Sequence, residues 1–389
     1  ARTLGRETGL EVDLERLTSE LSVGERQRLE ILRVLYRGAR AILLDEPTAV
    51  LSPVEVDELY RTLRRLAEQG STVAVVTHRL DEVVRYADDV TVMRRGRHVH
   101  GEAIEERKDE ELPHRLTRAI MGGEVPAPTE PPPLDKDAGE VLAAVGLRVR
   151  RPNGSVALDD LSIAVRAGEV VGVAGVEGNG QRELVRAFAG LETLDAGEVR
   201  LRGEHLFGAH RPRADHSAFV HMAVARGLVV VHEDRHRDEL LLEASVADNL
   251  VLGDLGTLTD ESRTATARFG RFDVQPADPE RIAGELSGGN QQKVVMARAF
   301  DRSLRALVLA QPTRGVDVGT ARTIQRAITD AAAEGAAVLV ISADLHELRA
   351  LAHRIVVLRR GRIVADLDPS ASDEVIGRAM LGTSERGAA

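Results

Sequence analysis

The sequence predicts two α/β units in tandem, each built on a largely parallel sheet. Three pairs of motifs recur at one offset. LSVGE opens at Leu21 and LSGGN at Leu286, ILLDEPT ends at Thr48 and LVLAQPT at Thr313, and VVTH ends at His78 and VISA at Ala343, each pair 265 residues apart. Solenoid repeats have periods of about 20–50 residues, so this period marks two whole domains. The second observation is local. Short aliphatic runs at 42–46 and 73–77 end where chemistry-bearing residues begin, with a helical pattern at 54–69 between them. The second half repeats this with strands near 169–174, 227–232, 306–310 and 337–342. Strands alternating with helices are the pattern of a parallel sheet.

The elements divide the chain into a first unit at 1–100, a helical and proline-rich linker at 101–138, a second unit at 139–365 and a C-terminal helix and tail at 366–389. Residues 124–138 (EVPAPTEPPPLDKDA) are proline-rich and polar, the composition of a semi-rigid spacer. Arg118–Gly122 matches Arg378–Gly382 at an offset of 260, so each half should end in a similar short helix. A glycine-rich loop, GVEGNGQRE, begins at Gly175; the 265-residue offset puts its first-half partner about 90 residues before Ala1. The first unit is therefore expected to be incomplete in this sequence, its phosphate loop lying upstream.

Composition narrows the function classes. Hydrophobic residues make up 43% of the 389 and aromatics only 2%, so the core must be aliphatic. No run of 18 or more apolar residues offers a transmembrane helix. The polar N-terminus does not have the pattern of a signal peptide. With no cysteine there is no disulfide and no thiolate metal site. A net charge of −10 argues against nonspecific nucleic-acid binding, and no nucleic-acid partner is expected.

The motifs carry phosphate chemistry. Asp45 and Glu46 follow an aliphatic strand; phosphoryl transfer needs a carboxylate to hold Mg²⁺ and a base to orient the attacking water. His78 stands at the end of the next strand, in reach of a γ-phosphate. A lone histidine there is usually structural; its fixed spacing from Asp45-Glu46 and LSVGE raises the functional reading. LSVGE and LSGGN each open a helix. Ser22 with Gly24, and Ser287 with Gly288 and Gly289, offer a hydroxyl, close backbone approach and unpaired N–H groups, which together form an anion site. Alone, each serine would be an N-cap; the duplication at constant spacing makes that insufficient.

This set resembles the ABC ATPases over nearly the whole chain. The resemblance implies tandem ABC-type P-loop NTPase domains, each with a largely parallel core sheet and a helical subdomain. Leu21, Ser22, Gly24 and Glu25 match one signature motif, and Leu286, Ser287, Gly288, Gly289 and Asn290 the other. By the same resemblance Asp45 would hold Mg²⁺ through water, Glu46 would be the catalytic base and His78 the switch histidine, with ATP as the nucleotide. The family's two domains meet head to tail, here within one chain, with ATP between the phosphate loop of one and the signature of the other. LSGGNQQK with PTRGVDVG is similar to the ATP-binding subunits of bacterial importers for simple sugars and nucleosides. Such subunits sit peripherally on the cytoplasmic face of the plasma membrane, under two transmembrane permease subunits served by a solute-binding protein.

The second unit departs from the family pattern. Its loop keeps Gly175, Gly178 and Gly180, but Gln181 stands where the phosphate lysine belongs and Arg182 where the Mg²⁺-binding Ser/Thr belongs. The three lysines, Lys108, Lys136 and Lys293, all lie elsewhere. Ala310-Gln311 replaces the acidic pair, Ala343 the histidine and Glu233 the usual coupling glutamine; His346 is three residues out of register. Residues 141–170 hold no aromatic to stack on adenine. Losing one charge-stabilising group costs on the order of 10²–10³ in rate. With four groups changed, hydrolysis at the second phosphate loop should be negligible. In the intact protein one ATP site should work and one should be degenerate, and this chain alone should be inactive. The Ala310-Gln311 pair is closer to the nucleoside importers than to the sugar importers. Two other readings stay open: a soluble tandem ABC protein acting on ribosomes, against which the short proline-rich linker speaks, and a non-catalytic fragment.

Overall fold

A computed structural model describes the chain except residues 1, 9, 11, 19–20, 22, 49–50, 52, 78, 95, 105–110, 122–129, 136, 177, 210–215, 254–260 and 383–389. Ser22 and His78 thus lie outside the described residues, as does much of the proline-rich segment. The chain forms two compact units, Ala1–Val125 and Pro126–Ala389.

The first unit runs α1 (Arg2–Thr8), α2 (Val23–Tyr36), β1 (Ala41–Asp45), α3 (Pro53–Glu68), β2 (Thr72–Val76), α4 (Leu80–Tyr86), β3 (Asp89–Arg94), β4 (Arg97–Ala103) and α5 (Leu112–Met121). Strands β1 and β2 pair in parallel with Asp45 opposite Val76. Strands β3 and β4 form an antiparallel hairpin.

The second unit runs β5 (Glu140–Arg150), β6 (Val156–Arg166), β7 (Val170–Ala174), α6 (Gln181–Phe188), β8 (Ala196–Leu201), β9 (Glu204–Gly208), α7 (His216–Ala225), β10 (Leu228–Val231), α8 (Arg235–Asp238), α9 (Val246–Val251), α10 (Glu261–Arg271), α11 (Gly288–Phe300), β11 (Ala306–Ala310), α12 (Val318–Ala333), β12 (Ala337–Ile341), α13 (Leu345–Leu351), β13 (Arg354–Arg359), β14 (Arg362–Leu367) and α14 (Asp373–Leu381). Its main sheet has the order β10-β11-β12-β7-β13-β14, parallel except for the last pair. Every residue of β7, β11 and β12 is buried, as expected of parallel strands covered on both faces. One face packs on residues of α11, α12 and α13. The other packs on α6 and on an antiparallel sheet of order β6-β5-β8-β9, which the spacing argument did not anticipate.

The internal repeat extends to fine detail. The β11–β12 pair places Ala310 opposite Ile341, the same register as Asp45 and Val76. Each hairpin carries an irregularity at equivalent positions, Val92/Met93 and Val357/Leu358. Helix α3 is followed by Gly70 at φ 90° and α12 by Gly335 at φ 93°, the left-handed conformation that lets a glycine end a helix.

Burial separates the units. Leu43, Val76 and Met93 are 73%, 52% and 65% exposed, whereas Val308, Ile341 and Leu358 at equivalent positions are 0%, 3% and 0% exposed. In the second unit α6 and the antiparallel sheet share the cluster that covers these residues. Among the described residues, no buried cluster of the first unit includes Leu43, Val76 or Met93. Each such side chain forgoes half or more of the about 1.5–3 kcal/mol that full burial would give.

Among the described residues, the proline-rich segment is fastened at Pro132. His353 Nδ1 accepts from the Val170 N–H at 2.9 Å while its Nε2 donates to the Pro132 carbonyl at 2.7 Å. The ring thus accepts at one nitrogen and donates at the other.

Candidate functional site

The chemistry-bearing residues of the second unit gather where parallel strands end, the usual location of ligand sites in open α/β sheets. Four segments meet there: the glycine loop after β7, the segment after β10, and the exits of β11 and β12.

The glycine loop is closed on itself. Gly178 and Gly180 have φ of 90° and 113°, which side chains rarely adopt. A Cβ on Gly180 would come within 2.5 Å of the Ala157 carbonyl, and one on Gly175 within 2.6 Å of the Leu358 carbonyl. Gln181 Nε2 donates to the Val176 carbonyl at 2.9 Å, and Asn179 Nδ2 does the same at 2.9 Å. Asn179 also anchors the β13–β14 turn, accepting from Arg360 N and Gly361 N at 2.8 Å each. At the position where a lysine would reach for phosphate, the Gln181 amide is bonded back into the loop. Arg182 is exposed on the first turn of α6.

The β11 exit and its first-unit counterpart share one backbone path. Gln311 has φ 50° and donates its N–H to the Ile341 carbonyl at 2.7 Å; Glu46 has φ 46° and donates to the Val76 carbonyl at 2.9 Å. Beyond each, a threonine bonds a buried carboxylate: Thr48 Oγ1 to Glu82 at 2.9 Å and Thr313 Oγ1 to Glu347 at 2.6 Å. Glu82 also pairs with Arg79 at 3.0 Å and accepts from Tyr60 at 2.7 Å. In the second unit Asp344 replaces Arg79, and burial pushes Glu347 up to about 7, with Asp344 adding to the rise. At the β12 exit the Gln311 side-chain oxygen accepts from Ala343 N at 3.3 Å, and His346 lies on α13, its N–H bonded to Asp344 at 2.8 Å.

Asp45 is exposed at the end of β1, with Glu46 partly buried beside it. No group of three or more His, Cys, Asp or Glu among the described residues forms a dedicated metal cage. Mg²⁺ is commonly held by one or two carboxylates, with phosphates and water supplying the rest. Asp45 fits that role. In the second unit Ala310 offers no ligand and Arg182 repels a cation, so its loop does not fit Mg²⁺.

The second signature motif is braced from three sides. Leu286 is buried and Ser287 is the exposed N-cap residue of α11, but its hydroxyl does not cap the helix. Instead Ser287 Oγ accepts from Asn290 Nδ2 at 3.0 Å, which leaves its own proton to donate. Asn290 Oδ1 accepts from Gln275 N at 2.8 Å. Gln292 Nε2 donates to the Pro312 carbonyl at 3.0 Å and Gln291 Nε2 to the Ala283 carbonyl at 3.1 Å. A buried ion pair, Arg298 with Glu239 at 2.7 Å, ties α11 to the segment after β10, and Glu239 also bonds His232 Nδ1 at 2.8 Å. Earlier in that segment Glu233 pairs with Arg314. In the first unit Leu21 is buried, Gly24 lies in the first turn of α2, and Glu25 pairs with Arg16 at 3.3 Å.

Sequence reasoning missed Arg235, Gln291, Gln292 and the two threonine–carboxylate bonds. Thr48/Thr313 and Glu82/Glu347 obey the 265-residue offset, a signal present in the sequence. Arg235 and its contact with Gly288 had no such signal.

The comparisons with known proteins follow this geometry. A family model described as ABC transporter matches residues 1–49 and 158–314. The nucleoside import ATP-binding protein NupA of Lactococcus lactis is 38% identical over 97% of this chain and 74% of its own length. The ribose import ATP-binding protein RbsA 3 of Rubrobacter xylanophilus is 38% identical over 95% of this chain and 72% of its own. Among solved structures, a dimeric post-hydrolysis ATP-binding cassette bound to ADP and Pi matches with a TM-score of 0.52 at 18% identity, covering 59% of this chain and all of that one, a likeness of fold.

Proposed function

The chain belongs to the ATP-binding proteins of ABC transporters, and from that premise we propose that it energises import of nucleosides or simple sugars with one competent set of catalytic groups and one degenerate set. In this reading Asp45 holds Mg²⁺, Glu46 orients the attacking water and His78 senses the γ-phosphate. Ser287, Gly288 and Gly289 offer a hydroxyl and helix-start N–H groups to γ-phosphate oxygens. Gly175, Gly178, Gly180, Gln181 and Arg182 form the degenerate loop, and Leu21, Ser22, Gly24 and Glu25 form the other signature motif. Two permease subunits and a solute-binding protein complete the importer at the cytoplasmic face of the membrane. Bound Mg²⁺ would neutralise phosphate charge; the chain's own residues position, orient and accept the proton.

One observation carries the reading. Glu46 and Gln311 occupy the same left-handed backbone position at the end of equivalent strands, one with a carboxylate and one without. Frame and chemistry have come apart in the second unit only. The test is steady-state ATPase of the assembled transporter with Glu46→Gln. Turnover should fall by on the order of 10²–10³ or more with nucleotide binding retained. Full activity in that variant would overturn the assignment.

A further inference from the structure

The guanidinium of Arg235 lies at the second signature motif, and among the described residues no carboxylate forms an ion pair with it. Arg235 opens α8, whose N-cap Asp234 is occupied by the N–H groups of His236 and Arg237. Its Nε bonds Gln291 Oε1 at 3.3 Å, an acceptor shared with His236 Nε2 at 2.7 Å. Its fork then reaches over the start of α11. Nη2 lies 2.6 Å from where a Cβ on Gly288 would stand, and Nη1 4.0 Å from that of Gly315. No ion pair to Arg235 occurs among the described residues. Its nearest cationic neighbour, Arg314, is engaged by Glu233. Asp317, whose Oδ2 would lie 3.7 Å from a Cβ on Gly289, is occupied as the N-cap of α12 by Thr320. Burial and Arg314 both pull the Arg235 pKa down, against the opposing charge of Asp234.

Charges of one sign therefore converge here. The start of a helix is its positive end, and the first turn of α11 holds no acidic residue to offset it. A half-buried guanidinium beside that end adds to the positive potential; Asp234 acts on it through space, and among the described residues no carboxylate forms an ion pair with it. The segment bearing Arg235 is not loose: the Arg298–Glu239–His232 network holds it to α11.

We infer that Arg235 is a phosphate-binding residue of the LSGGN motif, adding a charge-assisted donor for the terminal phosphate of the nucleoside triphosphate that Ser287, Gly288 and Gly289 receive. This rests on the assignment of that motif to the γ-phosphate under Proposed function. It also gives Gly288 a second reason to lack a side chain, since any Cβ would displace the guanidinium.

The test uses the assembled transporter, with ATP as substrate and orthovanadate as a mimic of the transferring phosphate. Arg235→Gln should raise KM for ATP and weaken vanadate inhibition by about tenfold or more, the scale of one lost charged hydrogen bond. Arg235→Lys, which keeps the charge, should recover part of both. Ser287→Ala with Arg235→Gln should be less damaging than the product of the single effects, since both act on one phosphate. The inference is overturned if Ser287→Ala is damaging while Arg235→Gln leaves KM and vanadate inhibition within twofold; the motif assignment then survives. It is also overturned if Arg235→Gln and Arg235→Lys lower the melting temperature equally and the activity of the folded fraction is normal. If Ser287→Ala itself is silent, the underlying assignment fails.

Discussion

Thr313 donates its hydroxyl to Glu347 across 2.6 Å, joining the exit of β11 to the first turn of α13 around a carboxyl that is buried. Burial raises this carboxyl to about 7, the Ser342 and Thr313 hydroxyls pulling it back and Asp344 pushing it further. The folded state thus binds a proton that the unfolded chain, with its ordinary carboxyl near 4.5, releases. The contribution is fully present below about 4.5 and is lost as pH rises through about 7. Thermal melts between pH 5 and 8 should show the second unit losing on the order of 3 kcal/mol or less across that window. Glu347→Gln should flatten the slope; an unchanged slope would locate the titration elsewhere.

Exchanging the residues at the two strand exits should have unequal effects. Glu46→Gln should abolish turnover in the intact transporter, whereas Gln311→Glu should not create a second active site, because Ala310, Gln181, Arg182 and Ala343 would still lack the metal ligand, phosphate cation and histidine. The 389-residue polypeptide alone should turn over far below about 1 per second, since none of its lysines lies in a glycine loop. ATPase assays of the three proteins side by side check this.

The signature serines should differ as well. Ser287→Ala removes a donor from the γ-phosphate, and Gly288→Asp adds a repelling charge where Arg235 now lies, so both should cut ATPase and solute uptake by tenfold or more. Ser22→Ala, in the other signature motif, should stay within about twofold. Equal damage from Ser22→Ala and Ser287→Ala would refute the one-working-site reading.

Hydrogen exchange of the purified chain should divide at the unit boundary. With Leu43 and Val76 exposed and Val308 and Ile341 buried, the amides of β1 and β2 should exchange at least about tenfold faster than those of β11 and β12. Matched protection in the two strand pairs would contradict the prediction.

The parallel strands, the helix starting at each signature motif and the exits after Asp45 and Ala310 were legible because they rest on local pattern and repetition. An aliphatic run ending in DEP has a counterpart ending in AQP, and three motif pairs at one offset of 265 residues rule out coincidence. The antiparallel sheet β6-β5-β8-β9 escaped because its residues alternate between core and surface and have no repeat partner in this sequence. Arg235 escaped for another reason. Its meaning depends on a side chain crossing from α8 to Gly288, more than 50 positions away, and on carboxylates being engaged elsewhere. Neither depends on neighbours in sequence.

A non-glycine residue in the left-handed region costs on the order of 1–3 kcal/mol. Gln311 bears that cost at φ 50° although its side chain carries no carboxylate. The bend therefore belongs to the junction of strand and loop, held by the bond to Ile341, and not to catalysis. The second unit resembles a mould from which the cast has been removed: its main chain already follows the path an acidic pair requires. Reinstating chemistry would require no rerouting of the backbone at this junction, only side chains installed as a set: Ala310→Asp, Gln311→Glu, Ala343→His, Gln181→Lys and Arg182→Ser together. The second unit is thus a natural acceptor for grafting a complete active site, and a poor one for repairing it residue by residue.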